Sequence, residues 1–103
     1  MLSATDIVVL VTLSRSAEGC HGYELLQTAR VEQGTALATT TLYRCLRGLL
    51  ERGLVEETEL APGEDERRRR YRVNAAGLAA ARAEGTRLKR LFASSPRLAG
   101  VLS

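Results

Sequence analysis

Thr39-Thr40-Thr41-Leu42-Tyr43-Arg44-Cys45-Leu46-Arg47-Gly48-Leu49-Leu50-Glu51-Arg52-Gly53 is the stretch on which the reading of this sequence turns. At about 100° per residue, Leu42, Cys45, Leu46 and Leu49 gather on one side of a helix with Leu50 at its edge, while Thr40, Arg44 and Arg47 gather on the other. The spacing predicts a helix from about Thr39 to Arg52, closed by Gly53 as the glycine that follows it. One face packs and the other is open to a partner. At the N-terminus the free backbone N–H groups and the positive end of the helix dipole favour a phosphate, and Thr39, Thr40 and Thr41 add hydroxyls there. Arg44 and Arg47 lie further along, within reach of base edges, where an arginine bidentate to guanine is the commonest specific contact. Tyr43 lies between the two faces: either its hydroxyl meets a phosphate or its ring seals the edge of the core. Glu51 shares the polar face near its far end, where it hinders approach to a phosphate. The plain alternative for the whole face is a solvated helix surface.

Upstream, Ser3-Ala4-Thr5-Asp6 reads as a capping box opening a helix through about Leu13. Ile7, Val8, Val9, Leu10, Val11 and Leu13 leave little polar face, so this helix belongs in the core or at a subunit contact. The same β-branched run is compatible with a strand. Glu18-Gly19-Cys20-His21-Gly22 reads as a turn. From Tyr23 to about Gln33, Leu25, Leu26 and Ala29 recur at helical spacing, with Gly34 as a stop and Thr35 to Ala38 as a connector.

Downstream, Leu54 to Leu60 and Arg69 to Val73 have β character around the turn signal Ala61-Pro62-Gly63-Glu64-Asp65, which predicts a two-stranded hairpin. Tyr71 and Val73 alternate with Arg70 and Arg72, so one side packs and the other carries charge. Arg67, Arg68 and Arg69 extend that charge toward the tip. These arginines either touch phosphate or pair with Glu56, Glu57 and Glu59 on the facing strand. The acidic tip Glu64-Asp65-Glu66 has no role evident in the sequence beyond keeping the tip out of a groove. A last long helix runs from Asn74, a good N-cap, to about Phe92, and Ser95-Pro96 opens a short final turn through Leu102. Leu78, Ala81, Gly85, Leu88 and Phe92 follow three-four spacing along it, with Leu91 widening the stripe. This is a heptad-like seam, suited to pairing with a second copy or to packing on its own domain.

The 103 residues, 45% hydrophobic and 26% charged, specify one modest globular domain. The net charge is only +3, but Lys89 is the only lysine, so the basic residues are nearly all arginine. Charge is segregated, an acidic stretch from Glu56 to Glu66 running into Arg67–Arg72, a pattern suited to a nucleic-acid contact. Cys20, His21 and Cys45 lack the paired spacings of a zinc site, and two cysteines fit a reducing compartment. No signal peptide or membrane span is read, which points to the cytoplasm. With one histidine, no Gly-rich phosphate loop and no nucleophile–base pair, the chain is not read as an enzyme, and no cofactor is expected. Three tyrosines and one phenylalanine make no large aromatic-lined pocket evident.

Helix, helix, helix, hairpin, helix is the order of a winged helix-turn-helix, here mostly α with a small β-hairpin, and with a C-terminal dimerisation helix. The division expected is 1–74 for DNA binding and 75–103 for dimerisation. At four places the sequence resembles the PadR family of bacterial transcriptional regulators. They are His21-Gly22-Tyr23-Glu24-Leu25, Thr41-Leu42-Tyr43-Arg44-Cys45-Leu46, Leu49-Leu50-Glu51-Arg52-Gly53-Leu54-Val55 and Arg69-Arg70-Tyr71-Arg72-Val73-Asn74-Ala75-Ala76-Gly77. The resemblance covers roughly residues 5 to 80. The resemblance implies a winged-helix homodimer of the short-tailed branch, repressing promoters by binding double-stranded operator DNA. It places Thr41 and Tyr43 on the recognition helix and Arg69–Arg72 in the wing, and it implies release by a small-molecule effector near the dimer interface. Family members often carry glycine where Thr40 stands, proline where Arg44 stands and threonine where Asn74 stands, so base reading by Arg44 rests on the helical wheel alone. A different class, a winged-helix module binding an acidic protein partner, is told apart by the salt slope and sequence preference of DNA binding.

Overall fold

Ser3 opens the first helix through the expected reciprocal cap: its Oγ accepts from the Asp6 N–H at 3.0 Å, and Asp6 Oδ2 accepts from the Ser3 N–H at 2.9 Å. A computed structural model describes residues 1–33, 37–65 and 68–102. Among these, the elements are α1 (Ala4–Ser14), β1 (Cys20–His21), α2 (Gly22–Gln33), α3 (Thr39–Glu51), β2 (Val55–Glu57), β3 (Arg70–Val73) and α4 (Ala75–Ala93). Gly34, Thr35, Glu66 and Arg67, which the sequence reading used, lie outside the described residues.

The β-branched run in α1 is helical because its side chains are claimed by tertiary packing: Val9, Leu10 and Leu13 are buried against Leu25 of α2 and Leu42, Leu46 and Leu49 of α3 in one core. Val11 points away from that core and is 41% exposed. An unpartnered apolar flank therefore remains on α1.

Gly53 ends α3 at φ +71°, a left-handed conformation that L side chains rarely adopt. Its N–H donates to the Leu50 carbonyl at 3.0 Å and the Leu54 N–H to the Leu49 carbonyl at 3.0 Å, which satisfies two of the helix's last carbonyls. The chain then turns directly into the sheet.

That sheet has three antiparallel strands in the order β1-β3-β2. In the expected hairpin, Val55 faces Val73, Glu56 faces Arg72 and Glu57 faces Tyr71. The hairpin is shorter than its β-propensity predicted, since regular pairing stops at Glu57. The turn expected at Glu18–Gly22 is corrected: Cys20 and His21 form a strand opposite Tyr71 and Arg70. Two residues carry too little alternation to declare a strand, and the pairing comes from the edge of β3, about 50 residues away in sequence.

Asn74 fixes how α4 leaves the wing. Its Oδ1 accepts from the Gly77 N–H at 2.9 Å, its Nδ2 donates to the Gly53 carbonyl at 2.8 Å, and its own N–H donates to the Leu54 carbonyl at 3.3 Å. At Gly77 the helix lies so close to the residue before β2 and to the end of β3 that an added Cβ would overlap the Leu54 carbonyl and a Val73 methyl. The first turns of α4 pack on α1 and β3, with Ala80 and Ala81 against the core. Beyond them the helix projects from the body, consistent with the molecule's extents of 56 × 28 × 20 Å.

Candidate nucleic-acid interface

Helix α3 divides as its periodicity requires. Leu42, Leu46 and Leu49 are buried, while Thr39, Thr40, Thr41, Arg44 and Arg47 are exposed on the other side. The residue before the helix, Ala38, has no side chain able to cap it, so no side-chain cap satisfies the first-turn N–H groups. Three threonine hydroxyls and those N–H groups thus occupy one end of the face, and two guanidinium groups the middle.

Tyr43 is 40% exposed. Its hydroxyl sits against Gly22, the first residue of α2, so closely that a Cβ there would require the tyrosine ring to shift. The ring thus bridges the start of α2 and the exposed face of α3. Behind that face, Cys45 donates from Sγ to Asp6 Oδ1 at 2.9 Å, linking the α1 cap to α3. Burial, and then the Asp6 carboxylate, push the Cys45 thiol well above its usual range. It is held as a neutral donor.

In the wing, the arginines are largely engaged by their own strands. Arg72 donates to Glu56 Oε1 from Nε at 3.2 Å and from Nη2 at 3.0 Å, directly across the register. Arg69 pairs with Glu57 at 3.4 Å. Arg70 reaches the Gly19 carbonyl at 3.3 Å, tying β3 to the segment before β1. Arg68 is exposed near the tip. Arg67 lies outside the described residues. Surface ion pairs contribute about 0–1 kcal/mol, little enough for a phosphate to replace the carboxylate. The acidic tip has a local purpose that sequence reading missed: Glu64 Oε2 accepts from the Ala61 N–H at 2.7 Å and closes the turn.

His21 Nδ1 lies 3.0 Å from Glu24 in the first turn of α2, an orienting contact at the strand-to-helix junction. Burial raises the Cys20 thiol above its ordinary value, with Glu24 adding to the effect and Arg70 opposing it. Among the described residues no group of three or more His, Cys, Asp and Glu is placed to hold a metal. None of the helices in the described residues is long and apolar enough to cross a membrane.

The family described as transcriptional regulator PadR-like matches residues 9–83, which include α2, α3, the sheet and the start of α4. The chain belongs to this family. Among solved structures, RosR of H. salinarum superposes with a TM-score of 0.73 at 24% identity, covering 93% of this chain and 82% of that one. A PadR family transcription regulator from Clostridium difficile R20291 gives 0.67 at 18% identity, with 86% and 91% covered. A PadR family regulator from Eggerthella lenta gives 0.63 at 26% identity, with 81% and 72% covered. No curated protein matches the chain. With the winged-helix architecture of this PadR-like chain in place, the seam expected along α4 divides in two. Ala81 packs on its own core, whereas Gly85 and Leu91 are exposed and Leu88 and Phe92 half-buried on the projecting part.

Sequence reading also missed a convergence beside α3. Tyr23, Tyr43 and Tyr71, the only tyrosines in the chain, line a single half-open groove of about 810 Å³. The expectation of no large aromatic-lined pocket is corrected, because the three residues come from α2, α3 and β3 and only the fold unites them.

Proposed function

We propose that the protein is a homodimeric, sequence-specific DNA-binding repressor working in the cytoplasm, with no catalytic role, and released from its operator by a small molecule. One observation carries this reading: α3 exposes Thr39, Thr40, Thr41, Arg44 and Arg47 on the side opposite its buried leucines, beside a wing bearing Arg68, Arg69, Arg70 and Arg72. In the proposal, each α3 enters a major groove, the threonines and Tyr43 hold phosphate, Arg44 and Arg47 meet base edges, and the wing follows the backbone. Residues 75–103 supply the dimer contact through Leu78, Ala81, Gly85, Leu88, Leu91 and Phe92. Half-sites then lie about one helical turn apart.

The test is a fluorescence-anisotropy titration against duplexes from the gene's own upstream region and a scrambled control, across salt concentrations. Tight, salt-sensitive binding confined to the upstream duplex is the expected result. Arg47→Ala weakens that binding by about 1–3 kcal/mol and relaxes base preference. A uniform loss over all sequences makes Arg47 a phosphate contact instead. Folded, dimeric protein that binds no duplex replaces this reading with the protein-interaction module.

A further inference from the structure

The net positive charge of the chain does not sit on its proposed operator face. Residues 39–73, which hold α3 and the wing, carry eight arginines against seven carboxylates, and residues 1–81 as a whole carry ten arginines against eleven. From residue 82 onward five basic residues, Arg82, Arg87, Lys89, Arg90 and Arg97, stand against Glu84 alone, so this stretch outweighs the +3 of the entire chain. Glu84 is taken by Arg87, which donates to its Oε1 from Nε at 3.0 Å and from Nη2. The other four basic side chains are exposed, and none of them enters an ion pair among the described residues.

Three of the four share one side of α4. At about 100° per residue, Arg82, Lys89 and Arg90 fall within roughly a third of the helix circumference, beside the seam that contains Leu78, Gly85 and Leu88. They span about 12 Å of helix axis, and Arg97 follows just past the Ser94 C-cap. Ala83, Thr86 and Ala93 occupy the same side and are exposed, small residues. That composition selects the partner. A protein interface draws its energy from buried aromatic or large apolar anchors, and a membrane-surface helix from an apolar face, whereas a phosphate backbone asks only for positive charge. The stripe also stands apart from the exposed side of α3: α1 packs on the buried side of α3, and α4 packs in turn on α1 and β3.

We infer that Arg82, Lys89, Arg90 and Arg97 form a second DNA-contacting surface, which holds the phosphate backbone of another duplex without reading its sequence while α3 occupies the operator. This rests on the proposed DNA-binding function. The two surfaces divide the work: α3 and a nearly charge-balanced wing supply sequence preference, and α4 supplies salt-sensitive attraction.

The test uses the full chain bound to bead-immobilised duplex from the gene's own upstream region, at about 0.15 M salt, where the Debye length of about 8 Å keeps the two surfaces electrically separate. Depletion of a fluorescent random-sequence duplex from solution reads the second site at equilibrium. Loaded beads take up the second duplex with a log–log salt slope of about −3 to −4, as four neutralised phosphates require. Arg82→Gln/Lys89→Gln/Arg90→Gln, which keeps good helix formers at exposed positions, lowers that uptake at least tenfold and leaves affinity for the upstream duplex within threefold. Circular dichroism checks that the variant is folded. No uptake by the loaded parent, or equal uptake by parent and variant, overturns the second surface. Equal losses for both duplexes overturn it too, by placing the stripe on the same duplex as α3. Tighter binding of a poly-glutamate peptide than of the random duplex assigns the stripe to an acidic protein partner instead. Should the upstream duplex not bind at all, the operator reading fails, and direct titration of free chain with the random duplex decides the stripe by itself: a tenfold loss in the variant keeps it, and no loss removes it.

Discussion

Replacing Gly77 by alanine and replacing Gly48 by alanine are the same chemical change inside two helices, and the structure assigns them opposite signs. Alanine in a helix interior is favoured over glycine by about 1 kcal/mol. At Gly48 nothing within 4 Å meets the new methyl, so that gain is kept. At Gly77 the methyl overlaps the Leu54 carbonyl and a Val73 methyl, and the carbonyl is backbone held by the Asn74 N–H. Overpacking costs roughly 1–3 kcal/mol, and rigid neighbours put this site near the top of that range. The net loss is then about 2 kcal/mol once the helix gain is subtracted. At roughly 4–8 °C per kcal/mol for a domain of this size, Gly77→Ala lowers Tm by about 8–16 °C and Gly48→Ala raises it by about 4–8 °C. Calorimetry or circular dichroism at one fixed protomer concentration measures both, since self-association of the proposed kind would shift Tm with concentration. A Gly77→Ala protein as stable as its parent refutes the close approach of α4 to Leu54 and Val73.

Three further outcomes are expected. Arg68→Ala weakens binding to every duplex alike and makes the log–log salt slope shallower by about 1; an unchanged slope removes Arg68 from the phosphate contacts. Gly85→Leu leaves the protomer folded, because its surroundings are open, but weakens self-association at least tenfold in sedimentation equilibrium; unaltered association rules out a close helix contact at Gly85. The raised Cys45 thiol stabilises the fold fully below the unfolded thiol's pKa of about 8.5 and progressively less as pH rises above it. Tm therefore falls more steeply from pH 8 to 10 in the parent than in Cys45→Ser, which keeps the donor to Asp6; parallel curves contradict the assignment.

Signals confined to one turn or one periodic face were legible before the structure. The Ser3–Asp6 cap, the buried Leu42/Leu46/Leu49 side of α3, the Gly53 stop and the Asn74 cap each depend on residues within about four positions of one another, and each is present. What escaped depends on distant partners. β1 exists only because Tyr71 and Arg70 offer an edge to Cys20 and His21. Asp6 could be read as a cap residue but not as the acceptor for Cys45, which lies 39 positions away. Glycine at position 22 reads as a turn residue, while the structure shows the Tyr43 hydroxyl, 21 positions on, lying against it. The tyrosine-lined cavity is the fullest case, since each ring by itself passes for a core-edge aromatic.

Asn74 joins these levels. Three of its polar contacts lock the start of α4 to the carbonyls that follow α3 and to the helix's own first turn. The direction in which α4 projects is therefore set by the end of α3, through Asn74, together with α1 and β3, on which its first turns pack. In a dimer paired along α4, the separation and tilt of the two α3 helices follow from that junction. Half-site spacing is then a property of Asn74 and Gly77 as much as of any residue that touches DNA.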